Sequence, residues 1–350
     1  MIFEVFAAGG CKSYLVGCGE TRAAVLIDPE LSLIDHYLGA ASQHGVRLRY
    51  LIDTHTHADH FSASHELAKT LGAPVVMHRL SPAPFADLRV DDGDMLIFGK
   101  IKLTVLHTPG HTRDSMCLHA DDRVFTGDTL LIGGTGRTDL PTGDPHALYE
   151  SLFDKVLRLP PETLVFPAHD YKGRVSSTIG AEIADNPRLQ KKERAEFVAM
   201  MEKLDLAAPT HLTEALRTNM SGGKTVAQLL SEAAAKAPFM SLAALHERIG
   251  ANSRDLVILD LREGEAFRAG HIPGAKHLPR GQLELRVNSE LPDPTLRILT
   301  CCEFGKISTL AAATLRELGY GRVTALDGGV NAWREAGYEL ETAPERPQEA

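Results

Sequence analysis

The segment Thr54-His55-Thr56-His57-Ala58-Asp59-His60 sets three imidazoles and a carboxylate within six positions, directly after the apolar run Tyr50-Leu51-Ile52. Three later apolar runs end in the same kinds of group. Leu103-Thr104-Val105-Leu106 leads into His107-Thr108-Pro109-Gly110-His111, Val124-Phe125-Thr126-Gly127 into Asp128, and Leu164-Val165-Phe166-Pro167-Ala168 into His169. Imidazole and carboxylate together suit zinc, iron or manganese. Strands that finish at one edge of a sheet deliver their last residues to a common place, and loops there can surround a cation. A single histidine such as His107 or His119 is better read as a hydrogen-bonded structural residue. The agreement of four strand ends is what points to a metal centre.

A second reactive segment, Thr300-Cys301-Cys302-Glu303-Phe304-Gly305-Lys306-Ile307-Ser308, follows an apolar strand and opens a helix. A cysteine at such a turn faces backbone N–H groups and the positive end of the helix dipole. Both stabilise a thiolate and cradle an anionic sulfur adduct. The other cysteines, Cys11, Cys18 and Cys117, read as inert small residues.

The elements that position these groups are legible as alternating short strands and helices. Strands are expected at Ala23–Ile27, Tyr50–Ile52, Pro74–Met77, Leu103–Leu106, Val124–Phe125 and Leu164–Phe166, with helices at Ala63–Leu71 and His146–Leu157. This is a layered α/β arrangement. Helical spacing returns at Lys191–Leu206 and Val226–Ala237, and a second αβ unit starts at Leu256–Asp260. Its strand Arg297–Thr300 precedes the helix Ser308–Leu318. With 350 residues the chain exceeds what one core usually serves. We expect domains at 1–235, ending in a helical linker, and at 236–350. The net charge of −9 speaks against nucleic acid as a partner. No apolar stretch is long enough to span a bilayer, so no membrane partner is expected. The first residues read as a strand rather than a secretory signal. Five cysteines without framework spacing fit a reducing compartment, and the cytoplasm is the expected location.

The histidine pattern resembles the metallo-β-lactamase superfamily over roughly residues 1–220, and within it the persulfide dioxygenases. The resemblance rests on Asp53–His60, Thr108–Thr112 and Phe125–Ile132. It also rests on Gly-Arg-Thr-Asp (Gly136–Asp139), Pro-Ala-His-Asp-Tyr-x-Gly (Pro167–Gly173) and Asn-Pro-Arg-Leu (Asn186–Leu189). It implies an αββα sandwich and one Fe(II) held by His55, His111 and Asp128. Such a facial triad leaves positions open for sulfur and O2. His57, Asp59, His60 and His169 would then orient the ligands or bond bound water. Arg137, Tyr171, Lys172, Arg188 and Asn219 would bind the substrate, a glutathione persulfide with two carboxylates, glutathione being the co-substrate. Arg137 sits next to Asp139, so an ion pair is its competing role. In a dizinc hydrolase like glyoxalase II, all seven metal-site residues would be ligands, with Asp128 bridging.

The second half resembles a single rhodanese domain over roughly residues 238–345, a parallel-sheet α/β unit. The resemblance rests on Ile258–Arg262, Gly270–Ala275, the Cys302 loop and Leu326–Trp333. The Cys-x-x-Gly-x-x-Ser register selects Cys302 as the persulfide-forming nucleophile, served by the loop Glu303 to Ser308 and by Arg262. Glu303 and Ile307 stand where basic residues are usual, which disfavours an oxyanion such as thiosulfate as donor. The joint expectation is oxidation of a persulfide by O2 to sulfite and thiol, with sulfur exchange among thiosulfate, sulfite and thiols. A homodimer is compatible with this. The competing readings are the dizinc thioester hydrolase and a rhodanese module that only carries persulfide or docks a partner.

Overall fold

The computed structural model describes residues 1–207, 212–251 and 255–342. It divides into two compact units, Met1–Gly223 and Lys224–Ala350. The break falls before the position expected near residue 235. The helix Val226–Lys236 is part of the second unit and packs on the helix Lys306–Glu317. Ala237 is buried in that unit's core, and Lys236 Nζ lies 2.6 Å from Glu317 Oε1. Thr225 and Gln228 close a reciprocal cap at its start, so this segment begins an element rather than links two.

The first unit is built on two six-stranded sheets. One runs in the order Ile2–Ala8, Cys11–Gly17, Ala23–Ile27, Arg47–Ile52, Val75–His78, Leu88–Val90. The other runs Ser177–Thr178, Leu164–Pro167, Arg123–Gly127, Met116–Ala120, Ile101–His107, Met95–Phe98. Side chains alternate across each strand, so one residue set faces the opposite sheet and the next faces helices. Tyr14, Val16, Ile27 and Ile52 thus meet Val105, Met116, Phe125 and Phe166 between the sheets. Leu15, Leu26 and Leu51 face outward onto Tyr37, Ala40 and Leu67 of the helices Ile34–Gln43 and Ser64–Leu71. Cys117, Val124 and Val165 face Leu148, Phe197 and Met201 on the other side. Buried on both faces, these strands read as continuous apolar runs, and the result is an αββα sandwich.

Strand direction places the functional residues. Arg123–Gly127 pairs parallel with Leu164–Pro167 and antiparallel with Met116–Ala120, which is antiparallel to Ile101–His107. The strands ending before His111, Asp128 and His169 therefore point the same way. In the facing sheet Ala23–Ile27 and Arg47–Ile52 run parallel, delivering Asp28 and the histidine loop.

The second unit holds a five-stranded parallel sheet in the order Phe239–Met240, Arg322–Leu326, Arg297–Cys301, Leu256–Asp260, Lys276–His277. Buried clusters around Leu259, Ile298, Ala311 and Leu315, and around Ile258, Leu299, Val330 and Trp333, cover its faces.

Candidate active sites

The histidine loop is fastened from outside before it can hold anything. Asp28, 2% exposed, accepts hydrogen bonds from Thr54 N at 2.7 Å and Thr54 Oγ1 at 2.9 Å, and lies 3.2 Å from His57 Nε2. Asp53 accepts from Ser62 Oγ at 2.8 Å and Ser64 Oγ at 2.7 Å, and burial pushes its carboxyl up to about 7. Asp53 enters the sequence reading only as the first residue of the Asp53–His60 motif, with no role, and Asp28 does not enter it at all. Asp28 stands outside the histidine segment, and its only local signal is that it ends an apolar strand.

Within this frame the ligand atoms of His55, His111 and Asp128 lie within 4.8 Å of one another. His111 Nδ1 is 2.8 Å from the Arg137 carbonyl oxygen, which turns Nε2 toward Asp128 Oδ2, 3.6 Å away. His55 Nδ1 lies 3.0 Å from Thr54 Oγ1, while its buried Nε2 has no partner. Each imidazole is held by one nitrogen and offers the other, as metal-binding histidines are. Burial, with His57 and His111 nearby, pushes His55 down to about 3, keeping it in the neutral form that ligates. Burial would raise the Asp128 carboxyl, but His169 and His111 hold it well below the usual range. Two imidazoles, one of them with its Nε2 orphaned, and one carboxylate fit a divalent metal ion. Gly136 permits this approach. A Cβ there would lie 2.0 Å from the Asp128 carbonyl oxygen and 3.0 Å from His111 Cβ.

Beside the triad, His169 Nδ1 lies 2.6 Å from Asp128 Oδ1 and thereby orients it. His169 Nε2 is 2.7 Å from Asp59 Oδ2, though not aligned as a hydrogen bond, and His60 Nδ1 is 3.4 Å from Asp59 Oδ1. His57 is turned toward Asp28, leaving its Nδ1 without a partner. Cys11, expected to be inert, joins this group with Sγ 3.7 Å from Asp59 Oδ2. Burial would raise its thiol, but His169 and His60 hold it below its ordinary value. The bridge between Cys11 and His169 brings it there from a hairpin far away in the chain, so no local pattern could have marked it.

His111 and Asp128 of the triad line a cleft of about 590 Å³ whose walls also include Arg137, Tyr171, Lys172 and Arg188. Arg137 is already committed. Its Nε and Nη2 each donate to Asp139 at 2.6 Å, and Nη1 donates to the Ala207 carbonyl at 2.8 Å. Its competing ion-pair role is therefore the one the structure displays. Arg188 Nη1 donates to Thr135 O at 2.6 Å and Oγ1 at 3.0 Å, and it pairs with no acid among the described residues. Tyr171 is 75% exposed and stacks on His169 with ring centroids 5.9 Å apart. Lys172 is exposed at the rim. Asn219, expected to bind substrate, does not line the cleft. It is 5% exposed, its Oδ1 accepts from Ser62 N at 3.0 Å, and its Nδ2 donates to His57 O at 2.9 Å and His60 O at 2.8 Å. It staples the histidine loop.

In the second unit Cys302 follows the strand Arg297–Cys301, and the helix Lys306–Glu317 starts from Gly305 at φ +83°. Ser308 N points to Cys302 Sγ at 3.3 Å, and the thiol lies 3.4 Å from Ser308 Oγ. Cys301 instead points into the sheet toward Leu259 O at 3.7 Å, and burial raises its thiol well above the usual range. Phe304 and Ile307 are exposed on the loop, 67% and 49%. Arg262 is spent on acids, donating to Asp260 and, through Nη1 at 2.9 Å, to Glu303.

Comparison with known proteins gives the following. The metallo-beta-lactamase superfamily model matches residues 7–169, and the rhodanese-like domain model residues 241–336. The chain is 40% identical over 227 residues to mitochondrial persulfide dioxygenase ETHE1 of Homo sapiens, covering 64% of this chain and 89% of that protein. The crystal structure of ETHE1 from Myxococcus xanthus aligns with TM-score 0.62 and 42% identity, over 64% of this chain and all of that one. A hydroxyacylglutathione hydrolase of Polaromonas is 36% identical over 167 residues, 45% of this chain and 62% of that protein.

Proposed function

Since the chain belongs to the persulfide dioxygenase family of metallo-β-lactamase-fold proteins and carries a rhodanese-like domain behind it, we propose that it oxidises a low-molecular-weight persulfide, glutathione persulfide being the best fit, with O2. The balanced reaction is RSSH + O2 + H2O → RSH + SO3²⁻ + 2H⁺. The observation that carries this reading is the convergence of His55, His111 and Asp128 beside a cleft, with His55 Nε2 unpartnered. These three residues would hold Fe(II), one per chain. When bound, the iron would supply open coordination positions that bring sulfur and O2 together, the four electrons that reduce O2 coming from the outer sulfur of the persulfide as it is oxidised to sulfite.

The chain's own groups do the rest. His169 and the Arg137 carbonyl fix the directions of Asp128 and His111. Arg188, whose guanidinium pairs with no acid among the described residues, takes one substrate carboxylate, and Lys172 at the rim takes the other. Tyr171 lends a hydroxyl over His169. Cys302, cradled by Ser308 N, accepts sulfane sulfur from a donor and passes it on to an acceptor. Covalent linkage of the two activities raises the effective concentration of a shared intermediate. Free thiols at all five cysteines fit a reducing compartment such as the cytoplasm.

The test is metal analysis of the purified protein together with O2 uptake on glutathione persulfide. About one iron per chain with uptake supports the proposal. About two zinc per chain and no uptake overturns it. That second outcome is the dizinc thioester hydrolase, favoured by His57 Nδ1 and the two ring nitrogens of His60, none of which makes a hydrogen bond.

A further inference from the structure

The loop around Cys302 carries its own anion. Glu303, the next residue, accepts from Arg262 Nη1 at 2.9 Å through Oε2 and from Arg334 Nη1 at 3.4 Å through Oε1. Arg262 is 4% exposed in its side chain, and its other nitrogens are occupied. Nε and Nη2 donate to Asp260, at 3.0 and 2.7 Å, and Nη2 also donates to the Gly270 carbonyl at 2.7 Å. Nη1 is thus the one edge of a buried guanidinium that faces the loop, and Glu303 fills it. Exposed Lys306 is left as a loop cation without an ion pair among the described residues. A sulfonate arriving beside Cys302 would need such donors for its oxygens, and it would meet a fixed carboxylate instead.

We propose that Glu303 is a specificity-determining residue that occupies the anion position of the sulfur-transfer loop, so that Cys302 takes sulfane sulfur from organic persulfides and refuses sulfonate-bearing donors. The inference rests on Cys302 being the sulfur carrier. In the favoured step the Cys302 thiolate attacks the outer sulfur of R–S–SH. A Cys302–S–SH persulfide forms, the R–S bond to that sulfur breaks, and RS⁻ leaves with the electron pair. Thiosulfate would follow the same course, expelling sulfite, but it brings two negative charges and three acceptor oxygens into a place already neutralised by Glu303. The exposed apolar side chains of Phe304 and Ile307 suit a carbon-bearing donor better than a small hydrated dianion. By the same logic the onward acceptor is a thiol rather than sulfite.

Glu303→Gln in the full chain tests this, because it removes the charge and keeps the shape. Two measurements are paired. The first is the rate of Cys302 alkylation by iodoacetate relative to iodoacetamide, read on the Cys302 peptide by mass spectrometry. The ratio cancels thiolate content and needs no turnover. It should rise at least fivefold in the variant. The second is steady-state sulfur transfer from thiosulfate and from glutathione persulfide. The thiosulfate KM should fall about tenfold or more while the persulfide KM stays within twofold. An unchanged alkylation ratio, or wild-type protein that uses thiosulfate as efficiently as persulfide, overturns the role of Glu303. If neither donor is turned over by either protein, Cys302 is not a working sulfur carrier, and the alkylation ratio still decides whether Glu303 excludes anions.

Discussion

Asn219→Ala removes three hydrogen bonds from the segment that carries His57 and His60, leaving Ser62 N, His57 O and His60 O without their partner. A buried hydrogen bond contributes about 1 kcal/mol net, and stranding its partner costs somewhat more. The three together are worth about 3 kcal/mol. For a unit of this size, each kcal/mol moves Tm by about 2–4 °C, so the first unit should melt about 6–12 °C lower. The loop also carries His55, and loss of an outer support of a metal site weakens metal binding by about 10–100-fold. The assay is iron content after equilibration with a competing chelator, alongside a melting curve and the kinetics of the iron-loaded fraction. Iron should be lost at lower chelator concentration, while the KM for persulfide in the loaded fraction stays within about twofold of wild type, because Asn219 does not line the cleft. Asn219→Asp should be no better than alanine. It keeps the acceptor for Ser62 N but sets a carboxylate against two carbonyl oxygens. A raised KM with unchanged iron affinity and unchanged Tm would refute the stapling role and return Asn219 to substrate binding.

Asp128→Ala should abolish iron binding and O2 uptake while sparing sulfur transfer, and Cys302→Ser should do the converse. Loss of O2 uptake in Cys302→Ser would show that the two sites do not act independently. Arg188→Met should raise the KM for glutathione persulfide about tenfold or more with kcat little changed, as expected for a lost charge-assisted bond worth about 1.5–3 kcal/mol. Equal effects on persulfides with and without carboxylates would count against it. Gly136→Ala should strip the site of iron, because its Cβ has no room against the Asp128 carbonyl; elemental analysis reads this directly. Arg137→Lys should lower stability more than it changes KM, since the fork to Asp139 and the bond to Ala207 O are what it holds. A KM effect without a melting shift would reverse that assignment.

The sequence by itself determined what local patterning can determine. Apolar runs ending in His, Asp or Cys marked His111, Asp128, His169 and Cys302 as strand-end residues, because strand period and turn chemistry are properties of neighbours along the chain. The Cys-x-x-Gly-x-x-Ser register separated Cys302 from Cys301, and the structure sends the latter into the sheet. The sequence placed the αββα and rhodanese-like units in order but set their boundary late, since helical spacing in Val226–Ala237 does not say which core the helix joins. Only the tertiary structure decided that Asn219 ties the histidine loop, that Arg137 is held by Asp139 and backbone carbonyls, and that Cys11 and Asp28 belong beside the histidine cluster. Those facts depend on which strands pair and on where side chains from distant segments meet. Sheet order brings Cys11 to His169 across more than 150 residues. Spacing fixes which side of an element a residue occupies, but the partner waiting there is supplied by the fold.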